Sequence, residues 1–272
     1  MRQLDSRVAV VTGAGSGIGR ATAVLLAKQG CRLALADVDQ NGLDETQRQI
    51  TALGGHASTY RIDVSDKARM SAFAAQVVSQ YGAVHILVNN AGVAVNGRFV
   101  DQSLEDFEWL MGVNFWGVVY GCKFFLPHLL AAVEGHVVNI SSLFGLIGFP
   151  QQTSYCASKF AVRGFSEALR AELVGSHVGV SSVHPGGVAT NIASRSRVSG
   201  DSQLRARHER VVERFKKMMP PEQAAKAIVE GIKQNRARVL ITRETHVLDL
   251  LRRVAPSASN VLLDWGWKRI GS

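Results

Sequence analysis

A chain of 272 residues with 46% hydrophobic and 19% charged residues has the composition of a folded globular protein, which excludes extended disorder. The net charge of +9 is spread through the last third, in stretches such as Arg205-Ala206-Arg207-His208-Glu209-Arg210 and Arg236-Ala237-Arg238, which read as solvated helix faces and loop charge, open to anionic substrates or membrane surfaces rather than to nucleic acid. No apolar run approaches the ~18 residues of a bilayer span. With a first strand beginning by about Arg7, no signal peptide is expected. Three dispersed cysteines (Cys31, Cys122, Cys156) form no metal-ligand pattern and fit a reducing compartment, so a cytoplasmic protein without a metal is expected.

Arg7-Val8-Ala9-Val10-Val11-Thr12 is a β-branched run of the kind that forms a buried parallel strand. Gly13-Ala14-Gly15-Ser16-Gly17-Ile18-Gly19 follows at once, and residues 20–29 carry a helical apolar stripe. A glycine turn between strand and helix lets the backbone approach a ligand, and free N–H groups at the helix start attract phosphate. Taken alone, the spacing Gly13-x-x-x-Gly17-x-Gly19 also fits a merely structural turn. The next strand, over 32–36, ends at Asp37. A carboxylate there can accept hydrogen bonds from both hydroxyls of an adenosine ribose and would repel a 2′-phosphate, while Val38 offers no cation in compensation. NAD is therefore favoured over NADP.

A helix over 41–53 leads to a strand over 57–62 that ends in Asp63-Val64, and a helix over 66–81 follows, capped by Ser65 or Asp66. The strand at 84–88 runs into Asn89-Asn90-Ala91-Gly92, small residues past which a ribose can lie close to backbone. One long helix is expected over 104–130. Asn114 inside it needs its amide satisfied, either by a water or by a neighbouring turn. The strand over 136–140 delivers Ser141 and Ser142, and a helix starts near Ser154. In that helix Tyr155 and Lys159 are i and i+4, on one face. An ammonium beside a phenol favours phenolate and lowers a pKa that starts near ~10. Tyr-x-x-x-Lys alone also describes an ordinary surface turn.

The motifs Thr12-Gly13-x-x-x-Gly17-Ile18-Gly19, Asn89-Asn90-Ala91-Gly92, Asn114, Ser142, Tyr155-x-x-x-Lys159 and Pro185-Gly186 occur in this order at compatible spacings. Together they resemble the short-chain dehydrogenases/reductases of compact, single-domain type, over roughly residues 4–242. The resemblance implies a Rossmann-type, doubly wound α/β fold, with about seven parallel strands in a three-layer αβα arrangement and all 272 residues in one domain. It implies Tyr155 as central acid/base, Lys159 lowering its pKa and bonding the nicotinamide ribose, Ser142 polarising the substrate oxygen, and Asn114 holding a water between Lys159 and solvent. It places Gly13, Gly17, Ile18 and Gly19 at the pyrophosphate of NAD, Asp37 at the adenosine ribose, Asp63 and Val64 at the adenine, and Asn90 between ribose and nicotinamide. Pro185, Gly186, Val188 and Thr190 would fix the nicotinamide. A homodimer or homotetramer is implied as well.

Beyond a strand over 178–183, the resemblance makes residues 187–220 a lid over the substrate. Its Ile192, Val198, Leu204, Val211, Val212, Phe215, Met218 and Met219, with Leu143, Phe144 and Phe149 after Ser142, suggest an apolar pocket bounded also by Gly187. Packing on the domain itself is the competing role. Arg195, Arg197, Arg205 and Arg207 are read as solvated, or else as a grip for an anionic group. A helix over 221–235 and a strand over 238–242 complete the core. The extension over 244–272 carries apolar clusters at 247–251 and 261–267 with flanking arginines and lysine; packing on protein is preferred there to peripheral membrane contact. The expected activity is NAD-dependent interconversion of an apolar, steroid-, retinoid- or lipid-like secondary alcohol and its ketone. Its rivals are an NADPH-dependent ketone or 3-oxoacyl-thioester reductase and a nucleotide sensor without turnover.

Overall fold

The computed structural model describes residues 1 and 3–255. Seven strands form one parallel sheet: β1 (Val8–Thr12), β2 (Arg32–Asp37), β3 (Ala57–Arg61), β4 (Ile86–Asn89), β6 (Gly135–Ile140), β7 (Val178–Pro185) and β9 (Arg238–Ile241), in the order β3-β2-β1-β4-β6-β7-β9. Two further strands, β5 (Val95–Asn96) and β8 (Arg197–Val198), pair with each other apart from this sheet. The helices are α1 (Gly17–Lys28), α2 (Gln40–Thr51), α3 (Lys67–Tyr81), α4 (Leu104–Met111), α5 (Gly117–Ala131), α6 (Thr153–Glu172), α7 (Ser202–Phe215), α8 (Pro221–Lys233) and α9 (Arg243–Val254).

The core follows from strand periodicity, because successive side chains in a strand point to opposite faces. In β1, Ala9 and Val11 face one helix layer and Val8 and Val10 the other. The first layer is built by Ala23 and Leu26 of α1, Leu43 and Ile50 of α2, and Ile228 and Ile232 of α8. The second is built by Met70, Phe73 and Val77 of α3, Phe125 and Leu129 of α5, and Val162 and Leu169 of α6. The chain crosses from β3 at one edge back to β4 beside β1. Crevices for ligands open at such a switch point, outside the carboxyl ends of the strands. Here those ends are Thr12 and Asn89, followed by the glycine turn and by Asn90.

Two expectations change. The helix expected over 104–130 is present without a break from Leu104 to Ala131, but it is not α-helical throughout: a π turn at Gly112–Trp116 joins α4 to α5. The wider turn carries Asn114, whose fully buried amide thereby reaches a neighbouring loop. In the extension, α9 does not bury the 247–251 cluster as a unit. It turns Thr245 and Asp249 inward and leaves Val247 and Leu250 exposed. Asp249 is the anchor, paired with Arg238 of β9 at 3.0 Å, and a buried charge must stay paired. The cluster at 261–267, with its tryptophans, lies outside the described residues. Among the described residues no helix is long and apolar enough to cross a membrane.

Candidate active site

The cofactor side of the cleft starts where β1 ends. Gly13 and Gly17 hold φ of 64° and 53°, in the left-handed region that glycine occupies without strain. A Cβ on Gly13 would lie 2.7 Å from the Asn90 amide and 2.8 Å from Ala91, and one on Gly19 would press on the Gly13 carbonyl. Asn90 braces the turn by donating from Nδ2 to the Thr12 and Gly13 carbonyls at 3.0 and 3.1 Å, while Thr12 Oγ1 accepts from the backbone N–H of Asn90. Ser16 caps α1 without any side-chain bond to the helix, so first-turn N–H groups remain open to an anion. Ile18, behind them, packs on the core.

At the tip of β2, Asp37 Oδ2 accepts from the Gly15 N–H at 2.8 Å and Oδ1 from the Asp39 N–H at 3.0 Å, so its carboxylate faces the glycine turn. Asp63 is exposed and its Oδ1 accepts from the N–H and hydroxyl of Ser65. Val64 is buried against Gly117 at the start of α5, and Asp66 is the residue that caps α3. The glycine cradle, the open helix start and the acidic strand tip together fit a dinucleotide.

The candidate catalytic side is assembled from three elements. β6 ends beside Ser142, whose Oγ accepts from the Phe144 N–H at 3.1 Å and so keeps its own hydrogen to donate. Tyr155 and Lys159 project from the first turns of α6, with the Lys159 Nζ 5.7 Å from the phenol ring centre. Lys159 is buried and donates to the Ile140 carbonyl at 3.0 Å. Asn114 completes the group from the π turn. Its Oδ1 accepts from Val93 N–H at 2.8 Å, and its Nδ2 donates to the Val93 carbonyl at 3.0 Å and to Ser158 Oγ at 3.1 Å. Ser158 in turn donates to the Tyr155 carbonyl at 2.8 Å, which locks the turn bearing both tyrosine and lysine. Both amide donors of Asn114 are thus engaged, leaving only its oxygen to take a water.

The electrostatics differ from the sequence expectation in one respect. Burial pushes the Tyr155 phenol up to about 12, while a hydrogen bond with Ser142 pulls the other way. Desolvation outweighs that hydrogen bond, although the tyrosine is only half-buried. The same desolvation brings the Lys159 amine down to about 8. Behind Ser142 sits His184 of β7, fully buried and held near 4 by desolvation. Its Nδ1–H donates to the Ser142 carbonyl at 3.1 Å, because a carbonyl can only accept, and its Nε2 therefore accepts from Ser182 Oγ at 3.0 Å.

The roof begins at Pro185 and Gly186. Gly187 is overlaid by the Met218 sulfur, Val188 is buried beside Met219, and the Thr190 methyl rests on Gly17. Phe144 meets Tyr155 edge-on at 6.2 Å and stacks on Phe149 at 4.9 Å, forming an apolar wall next to the phenol with the half-buried Leu143. No residue of α7 is buried, so its apolar side chains do not pack as domain core. Arg195 and Arg197, expected as solvated or anion-gripping, are exposed and are also paired with Asp39 and Asp106. Ser158, His184 and these two ion pairs escaped the sequence reading. Only Ser158 carried any signal, its position within the tyrosine–lysine turn.

The family model described as short chain dehydrogenase matches residues 7–200. SadH of Mycobacterium tuberculosis (strain ATCC 25618 / H37Rv), an oxidoreductase by name, is 46% identical over 268 residues, covering 98% of this chain and 97% of its own. The 3-oxoacyl-[acyl-carrier-protein] reductase FabG of Thermotoga maritima is 33% identical over 193 residues, 71% of this chain and 78% of its own. A short chain dehydrogenase/reductase of Burkholderia phymatum, solved in complex with NAD, superposes with a TM-score of 0.87 at 34% identity, over 93% of this chain and 95% of that one.

Proposed function

We propose that this chain, which belongs to the short-chain dehydrogenase/reductase family of oxidoreductases, interconverts an apolar secondary alcohol and its ketone with NAD. The observation that carries the reading is the convergence of Ser142, Tyr155, Lys159 and Asn114 at the end of the cleft opened by the glycine cradle. Asp37, whose carboxylate faces that cradle, supports NAD over NADP, in keeping with the NAD held by the Burkholderia phymatum protein.

NAD would lie along Gly13, Gly17, Ile18 and Gly19, with Asp37 at its adenosine ribose, Asp63 and Val64 near the adenine, and Asn90, Lys159, Pro185, Gly186, Val188 and Thr190 toward the nicotinamide, where it supplies the hydride acceptor. Ser142 donates its hydroxyl hydrogen to the substrate oxygen and orients it. Tyr155 takes the proton from that oxygen on oxidation and returns it on reduction. Its phenol starts near 12 with Lys159 already beside it, so to act near neutrality it needs further positive charge, which the oxidised nicotinamide would supply. Lys159, near 8, remains mostly protonated at pH 7 and can replace the proton that Tyr155 loses. Asn114 fixes the turn through Ser158 and offers its oxygen to a relay water. Leu143, Phe149 and Gly187 line the substrate, and the lid excludes bulk water. A homodimer or homotetramer would use the exposed Trp116, in the π turn before α5, and the exposed Phe160 of α6.

The kinship with FabG favours a second reading, an NADPH-dependent reductase of 3-oxoacyl thioesters. Both are tested by following nicotinamide absorbance with NAD, NADP and their reduced forms over steroid, retinoid, cyclic and short-chain alcohols and a 3-oxoacyl thioester. NAD-linked alcohol oxidation that vanishes in Tyr155→Phe is the expected outcome. Equal turnover with NADP would sink the role given to Asp37, and thioester reduction with NADPH alone would establish the second reading.

A further inference from the structure

Two arginines of the lid, two positions apart, reach opposite walls of the cleft. Arg195 donates to Asp39 Oδ2 at 2.9 Å. Asp39 caps α2 just beyond Asp37, on the wall assigned to the adenosine. Arg197 bonds Asp106 at 2.6 Å and lies over the Trp109 ring at 3.6 Å, both residues of α4, which packs against α6, the helix of Tyr155. The segment from Ala193 to Ser199 is therefore a strap across the top of the cleft rather than a loose flap.

Its two ends are anchored unequally. At the substrate end the ion pair and the ring contact are joined by the β5–β8 ladder, in which Arg197 N–H donates to the Ala94 carbonyl at 3.1 Å and Ser199 N–H to that of Asn96 at 2.8 Å. Asn96 also donates from its side chain to the Ser196 hydroxyl at 2.9 Å. At the cofactor end the strap meets the opposite wall through the Arg195–Asp39 pair, whose side chains are 57% and 29% exposed. A strap held by many contacts at one end and by a screened charge pair at the other opens at the charge pair.

We infer that Arg195 and Asp39 form a latch that sets how long the dinucleotide stays bound, with the β5–β8 end as the hinge. This rests on the NAD reading above. Arg195 is thus a positioning residue for the lid and has no part in the acid–base chemistry. The pair sits in partial solvent, so its contribution is modest and falls with ionic strength.

The test is stopped-flow release of NADH from wild type, Arg195→Ala, Asp39→Asn and the double variant, each at low and high salt, with equilibrium NADH affinity measured alongside. Asparagine caps a helix about as well as aspartate, so Asp39→Asn removes the charge and keeps the start of α2. At low salt each single variant is expected to release NADH about two- to fivefold faster than wild type. The double variant should be no faster than the larger single effect, and high salt should close the gap. Singles that release like wild type, effects that add in the double variant, or a gap indifferent to salt would each overturn the latch while leaving the cofactor reading intact. Wild type that binds no NADH would overturn that reading, and the latch with it.

Discussion

The floor and the roof of the cleft are built on opposite principles. In the floor, Asn114, Ser158, Lys159 and His184 are buried and bonded to backbone or to one another. In the roof, α7 buries nothing, and the strap is held by charge pairs and a two-residue ladder. A hydrogen bond broken in the floor leaves a desolvated orphan, whereas water replaces one broken in the roof. Under the proposed function, the groups that act in turnover sit where displacement is costly, and the proposed lid sits where it is not.

The contrast is most exposed to test at Tyr155. Tyr155→Phe should lower turnover about 10²- to 10⁴-fold while NADH still binds; turnover within tenfold of wild type would remove the phenol from the chemistry. Asn114→Ala strands the N–H and carbonyl of Val93 and unties Ser158, so the denaturant midpoint should report a loss of about 2 kcal/mol, with reduced turnover. An unchanged midpoint would mean the floor is no stiffer than the roof.

The floor should also be acid-sensitive. Burial holds His184, behind Ser142, near 4, and His136, at the far end of β6 from the cleft, near 3, against an ordinary value of 6.5. Below pH 6.5 the unfolded chain takes up these protons and the folded one does not until about 4 and then 3, so stability present above 6.5 is lost as pH falls through that window. Each histidine contributes about 1 kcal/mol per pH unit. Urea midpoints between pH 7.5 and 5 should fall for wild type and less steeply for His184→Gln; parallel slopes would show that His184 is not held neutral. The smallest effect belongs to the roof. Arg197→Ala should cost less than about 1 kcal/mol in stability yet speed proteolytic cleavage within the lid, and a loss of several kcal/mol would place the hinge in the core.

What was legible in the sequence shares one property: it is local. The glycine turn, Asp37 at a strand tip, the i, i+4 pair of Tyr155 and Lys159, and the seven main strands all declare themselves within a few neighbouring residues. The π turn did not, because apolar spacing runs on through five residues wound one step wider. Nor did β5 and β8, two residues each, or the partners of Arg195 and Arg197, which lie far away in the chain. The direction in which Tyr155 shifts is hidden from the sequence for a related reason. Spacing shows that a cation is near, but the opposing cost of burial depends on Phe144 and on the β6 end, which only the fold brings together.

The strand order carries a consequence for how the molecule is made. β1 lies inside the sheet; β2 and then β3 are added on one side of it, and β4, β6, β7 and β9 on the other. In a chain emerging from its N-terminus, every one of these strands finds the edge it pairs with already synthesised, so the growing sheet never presents more than two open borders to stray chains. Val95–Asn96 is the exception: it must wait for Arg197–Val198, and the cleft therefore acquires its roof only after most of its floor has been laid.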